Sequence, residues 1–284
     1  MRGYKADMHA LLTGSLATER VAIALPDLPL ALHGTTLVQL SDFHFDGHSL
    51  SRSLLEAAIA QCNAIYPDLV VLTGDFITRN SRDIYPLATE LGRLQSRRGC
   101  YAVLGNHDSP HVSTRLTVQG ALAAVGIHPL WNEIAYPLGE CLPLVGLADL
   151  RSRECHPAPL LRQLDPATPR IVLAHNPDTL DHLEQARADL VLAGHTHGGQ
   201  VVIPGVGTVP GLLQAIAPWV PAWGRAQIPF LNQRCDRVFH RWEWAAGLHQ
   251  VGPHQLYVNR GLGSYRPGRL FGPPELSVIT LVTP

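Results

Sequence analysis

Five short motifs place Asp, His and Asn side chains where they could share metal ions. They are Asp42-Phe43-His44, Gly74-Asp75, Gly105-Asn106-His107-Asp108, Ala174-His175 and Gly194-His195-Thr196-His197. Asp42 and His44 are one residue apart, so an extended backbone turns both side chains to one side. His195 and His197 repeat that spacing. The flanking glycines permit tight turns and close backbone approach. Imidazole and carboxylate together suit Mn, Fe or Zn better than a lone Mg or Ca. Seven ligands from five segments exceed one four-coordinate site with an open position. They suit two ions bridged by a shared carboxylate. Two ions about 3.5–4 Å apart can hold a hydroxide and clamp both oxygens of an in-line displacement at phosphorus. Each motif alone is weak, since Asp42 could cap a helix and Gly74-Asp75 could be a turn. Their joint arrangement decides.

The elements that must position these residues are visible as short apolar runs, each ending in one motif. They are Thr35–Leu40, Leu69–Leu72, Tyr101–Leu104, Ile171–Leu173 and Leu190–Leu192. Such runs, bounded by turn formers, predict buried strands. Helical patterns fill the gaps over Ser49–Tyr66, Asp83–Leu94, Thr114–Val125 and Leu180–Ala188. In the first of these, Leu54, Leu55, Ala58, Ile59 and Cys62 fall on one face. Alternating strands and helices predict an α/β domain with polar residues gathered at the strands' carboxyl ends. Gly199–Pro210, Gln255–Gly261 and Leu276–Val282 read as strands without intervening helices, which predicts mixed sheets. The chain is expected to be one domain over 1–284, with an N-terminal extension at 1–33 and a Trp/Pro-rich insert at 211–252.

Composition bounds the partners. Of 284 residues, 46% are apolar and 16% charged, which gives ample core material. The net charge of -1, without a basic stripe, argues against a nucleic-acid substrate. Five scattered cysteines without a C-x-x-C pair argue against a disulfide framework or a Cys-ligated zinc. Fifteen histidines are many for a neutral chain. No N-terminal apolar run reaches the ~18 residues that span a bilayer. A cytoplasmic protein is expected, with peripheral contact at the inner face of the membrane. That contact is assigned to 211–244, where Gly211–Trp223 is apolar and Phe239, Trp242 and Trp244 follow. Trp suits a surface that is apolar on one side and wet on the other.

The ordered set D-x-H, G-D, G-N-H-D, H, G-H-x-H resembles the calcineurin-like metallophosphoesterase superfamily, over Asp42 to His197 and on towards Glu275. The resemblance implies a four-layer α/β/β/α sandwich of two mixed sheets flanked by helices. It implies that Asp42, His44, Asp75 and His197 hold one metal. Asp75 would bridge, and Asn106, His175 and His195 would complete the other. Two divalent ions are implied, drawn from Mn, Fe or Zn with Mn foremost. His107 would stabilise charge on the phosphoryl oxygens and protonate the leaving oxygen, and Asp108 would orient His107. Asn106, His107 and Arg260 are the expected substrate contacts. Thr78 stands where many relatives carry a second Asp.

Gly194–Gln200, Val258–Gly263 and Arg269–Leu276 are similar to a bacterial branch of membrane-associated phosphodiesterases and one type of UDP-2,3-diacylglucosamine pyrophosphatase. The implied activity is hydrolysis of a phosphodiester or pyrophosphate bond in a phosphate-ester small molecule or a lipid-linked substrate. The rivals are a phosphomonoesterase or protein phosphatase, and an inactive binding scaffold of the same fold. Scaffolds lose ligands, and here every ligand position is filled.

Overall fold

Each apolar run that precedes a candidate ligand is a β-strand in the computed structural model, which describes residues 14–183, 186–221, 224, 239–265 and 268–284. One sheet contains β1 (Ala17–Ala24), β2 (Thr36–Leu40), β3 (Leu69–Leu72), β4 (Cys100–Ala102), β5 (Ile127–Pro129) and β14 (Glu275–Val282). Its spatial order is β1-β14-β2-β3-β4-β5. The other contains β6 (Glu133–Ala135), β7 (Leu144–Gly146), β8 (Ile171–Leu173), β9 (Leu190–Ala193), β12 (Gly247–Val251) and β13 (His254–Val258). Its order is β12-β13-β9-β8-β7-β6. In the first, β2 to β5 run parallel and β14 pairs antiparallel with β2. In the second, β7, β8, β9 and β13 run parallel, while β6 and β12 are antiparallel edges. Both sheets are therefore mixed.

The pleat sends successive side chains to opposite faces, and burial follows it. Leu37, Leu69 and Val71 face the second sheet and meet Ile171, Leu173, Leu190 and Leu192. Val38, Leu40, Val70 and Leu72 face outward onto the helices α1 (Arg52–Ile65), α2 (Ile84–Leu91) and α3 (Val112–Ala123). Ser51 caps α1 by accepting from the Leu54 N–H at 3.2 Å, and the helix buries the apolar stripe read from its sequence. On the far face of the second sheet, Val145, Val172 and Val191 lie under Leu160 and Leu161 of α4 (Pro157–Leu161), with Phe239 and Trp244. Each fully buried aliphatic chain contributes about 1.5–3 kcal/mol. This apolar frame offsets the cost of strained, charged turns at the strand ends.

Three sequence readings are revised. Residues 1–33 are not simply an extension, because β1 enters the first sheet parallel to β14, Ala17 opposite Glu275. It is an edge strand with little buried surface, so it shows no clear apolar period. The described part of Leu180–Ala188 does not form an α-helix. Asn176 accepts from the Asp178 N–H at 2.9 Å and starts a tight 3-10 turn over Pro177–His182, while Glu184 and Gln185 lie outside the described residues. Gly199–Pro210 is not one strand. Gly199, Gly205 and Gly207 take positive φ and leave a hairpin of β10 (Val202–Ile203) and β11 (Gly207–Thr208). Within the 211–252 insert, the described residues form most of α5 (Val209–Ile216), 3-10 turns over Ala217–Trp219 and Trp242–Trp244, and all of β12. Trp223 and Phe230 lie outside them.

Asp68 ties the start of β3 to the start of β2. Its Oδ2 accepts from the Thr36 N–H at 2.8 Å and the Thr36 hydroxyl at 3.1 Å, and its Oδ1 accepts from Arg97 at 3.2 Å. Burial opposes ionisation, but these donors outweigh it and hold the Asp68 pKa below its ordinary value. A depressed carboxylate pKa gives stability that is present above the unfolded value of about 4 and lost as pH falls through the folded one. Asp68→Ala is expected to cost about 1–3 kcal/mol at pH 7. In urea titrations the difference from wild type should shrink below about pH 4. A difference that stays constant to pH 3 would assign the loss to packing instead.

Candidate metal centre

The five motifs follow β2, β3, β4, β8 and β9, and all five strands point their carboxyl ends to one edge. The backbone pairing runs on into the first two motifs. Asp42 N–H donates to Gly74 O and His44 N–H to Asp75 O, both at 2.9 Å. Asp42, His44, Asp75, His195 and His197 all have positive φ, between 44° and 71°. Non-glycine residues avoid this left-handed region, at a cost of about 1–3 kcal/mol each. The strain turns their side chains off the strand ends into a common pocket. Glycines leave the room: a Cβ on Gly105 would overlap Asp75 Oδ1, and one on Gly194 would overlap Ser41 Oγ and Asp42 Oδ2.

Two ligand groups result. Asp42, His44 and His197 offer donor atoms within 4.8 Å of one another, and so do Asp75, His175 and His195. In the first, His44 Nε2 stands 3.1 Å from His197 Nε2, and His197 Nε2 3.5 Å from Asp42 Oδ1. In the second, His195 Nδ1 stands 3.0 Å from His175 Nε2. One oxygen joins the groups. Asp75 Oδ2 is 3.4 Å from His44 Nε2 and 3.2 Å from His175 Nε2. The outer ring nitrogens are tethered, which sets the tautomers. His175 Nδ1–H donates to Thr73 O at 2.7 Å and His197 Nδ1–H to Gly263 O at 3.2 Å, leaving each Nε2 facing inward. Asn106 Oδ1 is buried without a hydrogen-bond partner. Such an oxygen is costly unless a ligand takes it, so the donor set fits two cations, with Asn106 Oδ1 free to join them.

The electrostatics agree. Burial pushes the Asp42 carboxyl up to about 6 against the charge of His175. Burial pulls His44 down to about 3, and also holds His197 well below its usual value. His175 is pushed up to about 10, because the charge of Asp75 outweighs the effect of burial. Asp75 is held well below the carboxylate range, burial being outweighed by His175. A proton on His175 thus stands where a cation would, and cations displace protons from such ligands.

His107 sits at the rim of the cage. Its N–H donates to Asp75 Oδ1 at 2.9 Å, and its Nδ1–H to Thr78 O at 2.6 Å. Its ring lies edge-on to that of His44, with centroids 4.9 Å apart. It also offers a donor atom within 4.8 Å of those of His44 and Asp75. Asp108 does not orient His107, contrary to the sequence reading. Asp108 Oδ1 accepts from the N–H groups of Phe76 and Ile77, and Oδ2 from that of Gly105. Asp108 therefore braces the Asp75 and Asn106 turns, and the Thr78 carbonyl holds the imidazole. Arg260 is also committed elsewhere. Its guanidinium pairs with Glu275 at 2.9 Å and Glu19 at 2.5 Å. Glu275 further accepts from the Tyr257 hydroxyl, which makes a buried network rather than a phosphate contact.

Two residues near the centre carry no motif of their own in the sequence. The Tyr265 hydroxyl lies 2.6 Å from His44 Nδ1, so a protonated Nδ1 can donate to it while Nε2 faces the cage. Arg269 is buried and donates to the carbonyls of His197, Arg260, Gly261, Gly263 and Gly272, stitching the C-terminal loop under His197. Both lie in or next to the C-terminal stretches that carry the branch resemblance.

Comparison with known proteins identifies the family. The family model for calcineurin-like phosphoesterase matches residues 35–199. The phosphodiesterase YaeI of Escherichia coli is 32% identical over 86% of this chain and 80% of its own. The UDP-2,3-diacylglucosamine pyrophosphatase LpxG of Chlamydia trachomatis is 28% identical over 93% of this chain and 88% of its own. The metallophosphoesterase YkuE of Bacillus subtilis is 28% identical over 89% of this chain and 81% of its own.

Proposed function

The chain belongs to the calcineurin-like phosphoesterase family, and from that membership we propose that it hydrolyses a phosphodiester or pyrophosphate bond in a lipid-linked substrate. The single observation that carries the two-cation reading is Asp75 Oδ2, set within 3.4 Å of a ring nitrogen from each ligand group. Two divalent cations, manganese foremost, would supply an activated water and a clamp on the attacking and leaving oxygens. Asp42, His44 and His197 would hold one, Asn106, His175 and His195 the other, and Asp75 would serve both. His107, tethered through Nδ1 to Thr78 O, offers Nε2 to the phosphoryl and leaving oxygens.

The lipid-linked substrate is supported by exposed apolar residues in and beside the 203–219 segment. Ile203, Val206, Ile216, Leu270 and Phe271 are exposed, and Trp219 is 86% exposed. Among the described residues no helix is long and apolar enough to cross a membrane. Of the 211–244 segment expected to meet a membrane, Ile216 and Trp219 are exposed, whereas Phe239 and Trp244 are buried in the core and do not form that surface; peripheral contact through the exposed residues suits an acyl-bearing substrate.

The test is a manganese-loaded assay with bis(p-nitrophenyl) phosphate, p-nitrophenyl phosphate and a UDP-linked diacyl sugar side by side. The diester and the lipid substrate are expected to turn over at least tenfold faster than the monoester, an advantage of about 1.4 kcal/mol. Trp219→Ser should slow the lipid substrate most. A preference for the monoester would replace the diesterase reading with a phosphomonoesterase.

A further inference from the structure

Beside the cage lies a cavity of about 520 Å³, lined among others by Asn106, Arg115, Trp131, Asp149, Arg151 and Arg153. A volume of this size accepts a sizeable part of a small ligand. Asn106 belongs both to the cage and to the cavity wall. Whatever fills the cavity therefore lies next to the bond being cleaved.

Its walls are pre-organised. On one side, Arg115 in the first turn of α3 lies over the Trp131 ring, 4.7 Å from its centroid. It pairs with Glu154, which also accepts from Trp131 Nε1 at 2.8 Å. On the other side, residues Asp149 to Glu154 form a turn pinned at both ends. Asp149 Oδ1 accepts from the Arg151 N–H at 2.9 Å, and Ser152 Oγ accepts from the Glu154 N–H at 3.0 Å. Asn132 clamps the turn from outside, donating to Glu154 O at 2.7 Å and accepting from the Ala148 N–H at 3.0 Å. Within the turn Arg153 takes φ 63°, a strained conformation for any residue but glycine. Strain of this kind persists only where the surroundings over-determine it, and it gathers at ligand clamps.

The charges have a direction. Glu154 is spent on Arg115 and Trp131, Asp149 Oδ1 caps the turn, and Asp149 Oδ2 is buried without a hydrogen-bond partner. Arg153 is exposed and has no carboxylate within ion-pair distance among the described residues. Guanidinium groups match phosphate oxygens two at a time, a geometry a lysine or a helix end does not reproduce. Resting on the phosphoesterase reading above, we infer that this cavity is a subsite for a second phosphate group of the substrate, gripped by Arg153 beside the metal centre, with Arg115 held in the opposite wall by Glu154. The preferred substrate class is then a diphosphate diester, in which one phosphorus is attacked and the neighbouring phosphate sits against Arg153.

The experiment uses the manganese-loaded full chain, with bis(p-nitrophenyl) phosphate as reporter and ADP-ribose and orthophosphate as competitors. The variant is Arg153→Asn, because Asn tolerates the left-handed backbone and lacks the charge. ADP-ribose is expected to compete with wild type, and its inhibition constant to rise about tenfold or more in Arg153→Asn. The constant for orthophosphate, which needs only the cage, should move less than threefold. The subsite is overturned if both constants move together, if neither moves, or if ADP-ribose competes no better than orthophosphate. Failure of the metal-loaded wild type to cleave the reporter at all would instead sink the phosphoesterase reading, and the subsite with it.

Discussion

Asp75→Ala is expected to empty the centre of both cations and to lower turnover of a diester at least about 1000-fold, some 4 kcal/mol of lost transition-state stabilisation. The size follows from position. Asp75 Oδ2 is the one atom within 3.4 Å of a ring nitrogen from each ligand group. Losing a ligand that serves one cation leaves the other in place, whereas losing this one weakens both. Oδ1 adds a second consequence, since it accepts from the His107 N–H. The variant therefore also loosens the turn that carries Asn106 and His107. Metal content after dialysis against manganese, read by elemental analysis, should fall from two ions per chain towards none. Thermal unfolding should report the same loss. Manganese should raise the Tm of wild type, because a ligand bound only by the folded state stabilises it. Asp75→Ala should show little such shift. Two retained ions with wild-type turnover would remove the bridging role and the two-cation argument with it.

The ligands are legible in the sequence because a cage of this kind is built from short local pieces. Each piece is an apolar strand followed at once by acids, amides or imidazoles, and the parallel strands of the two sheets deliver their ends to one edge. What is not legible depends on directions within turns and on distant pairing. Asp108 follows His107, which makes an acid–imidazole pair attractive. In the folded turn the Asp108 carboxylate instead collects three N–H groups, while the His107 ring meets Thr78 O. Arg260 reads as a phosphate contact, but its partner Glu19 lies 241 residues away, on an edge strand without a clear sequence period. The left-handed conformations of Asp42, His44 and Asp75 are only weakly signalled by residue type, since Asp and His enter that region more often than most side chains but far less often than glycine. The arginine-lined wall is hidden for a related reason. Arg115 and Arg153 come from different elements, and only folding places both beside Asn106.

His107→Ala is expected to keep both cations and still lose about 10²- to 10⁴-fold in turnover, the range of general acid catalysis. Retention of the metals follows from the connections of the ring. Nδ1 is held by the Thr78 carbonyl at 2.6 Å, outside the cage, and the backbone N–H that supports Asp75 survives the substitution. The side chains proposed as ligands are all untouched. The loss of turnover follows from what remains. With Nδ1 tethered, Nε2 is the one ring nitrogen left to meet a phosphoryl or leaving oxygen. A proton donor matters most when the departing oxygen is a poor leaving group. Esters with an alkoxide leaving group should therefore suffer more than p-nitrophenyl esters, and kcat should fall more than KM rises. A merely structural His107 would slow both ester classes equally. Elemental analysis separates the roles more sharply, because His107 also lies within ligand distance of His44 and Asp75. If the variant loses its metals, His107 is a ligand rather than an acid, and proton delivery must come from another group at the rim.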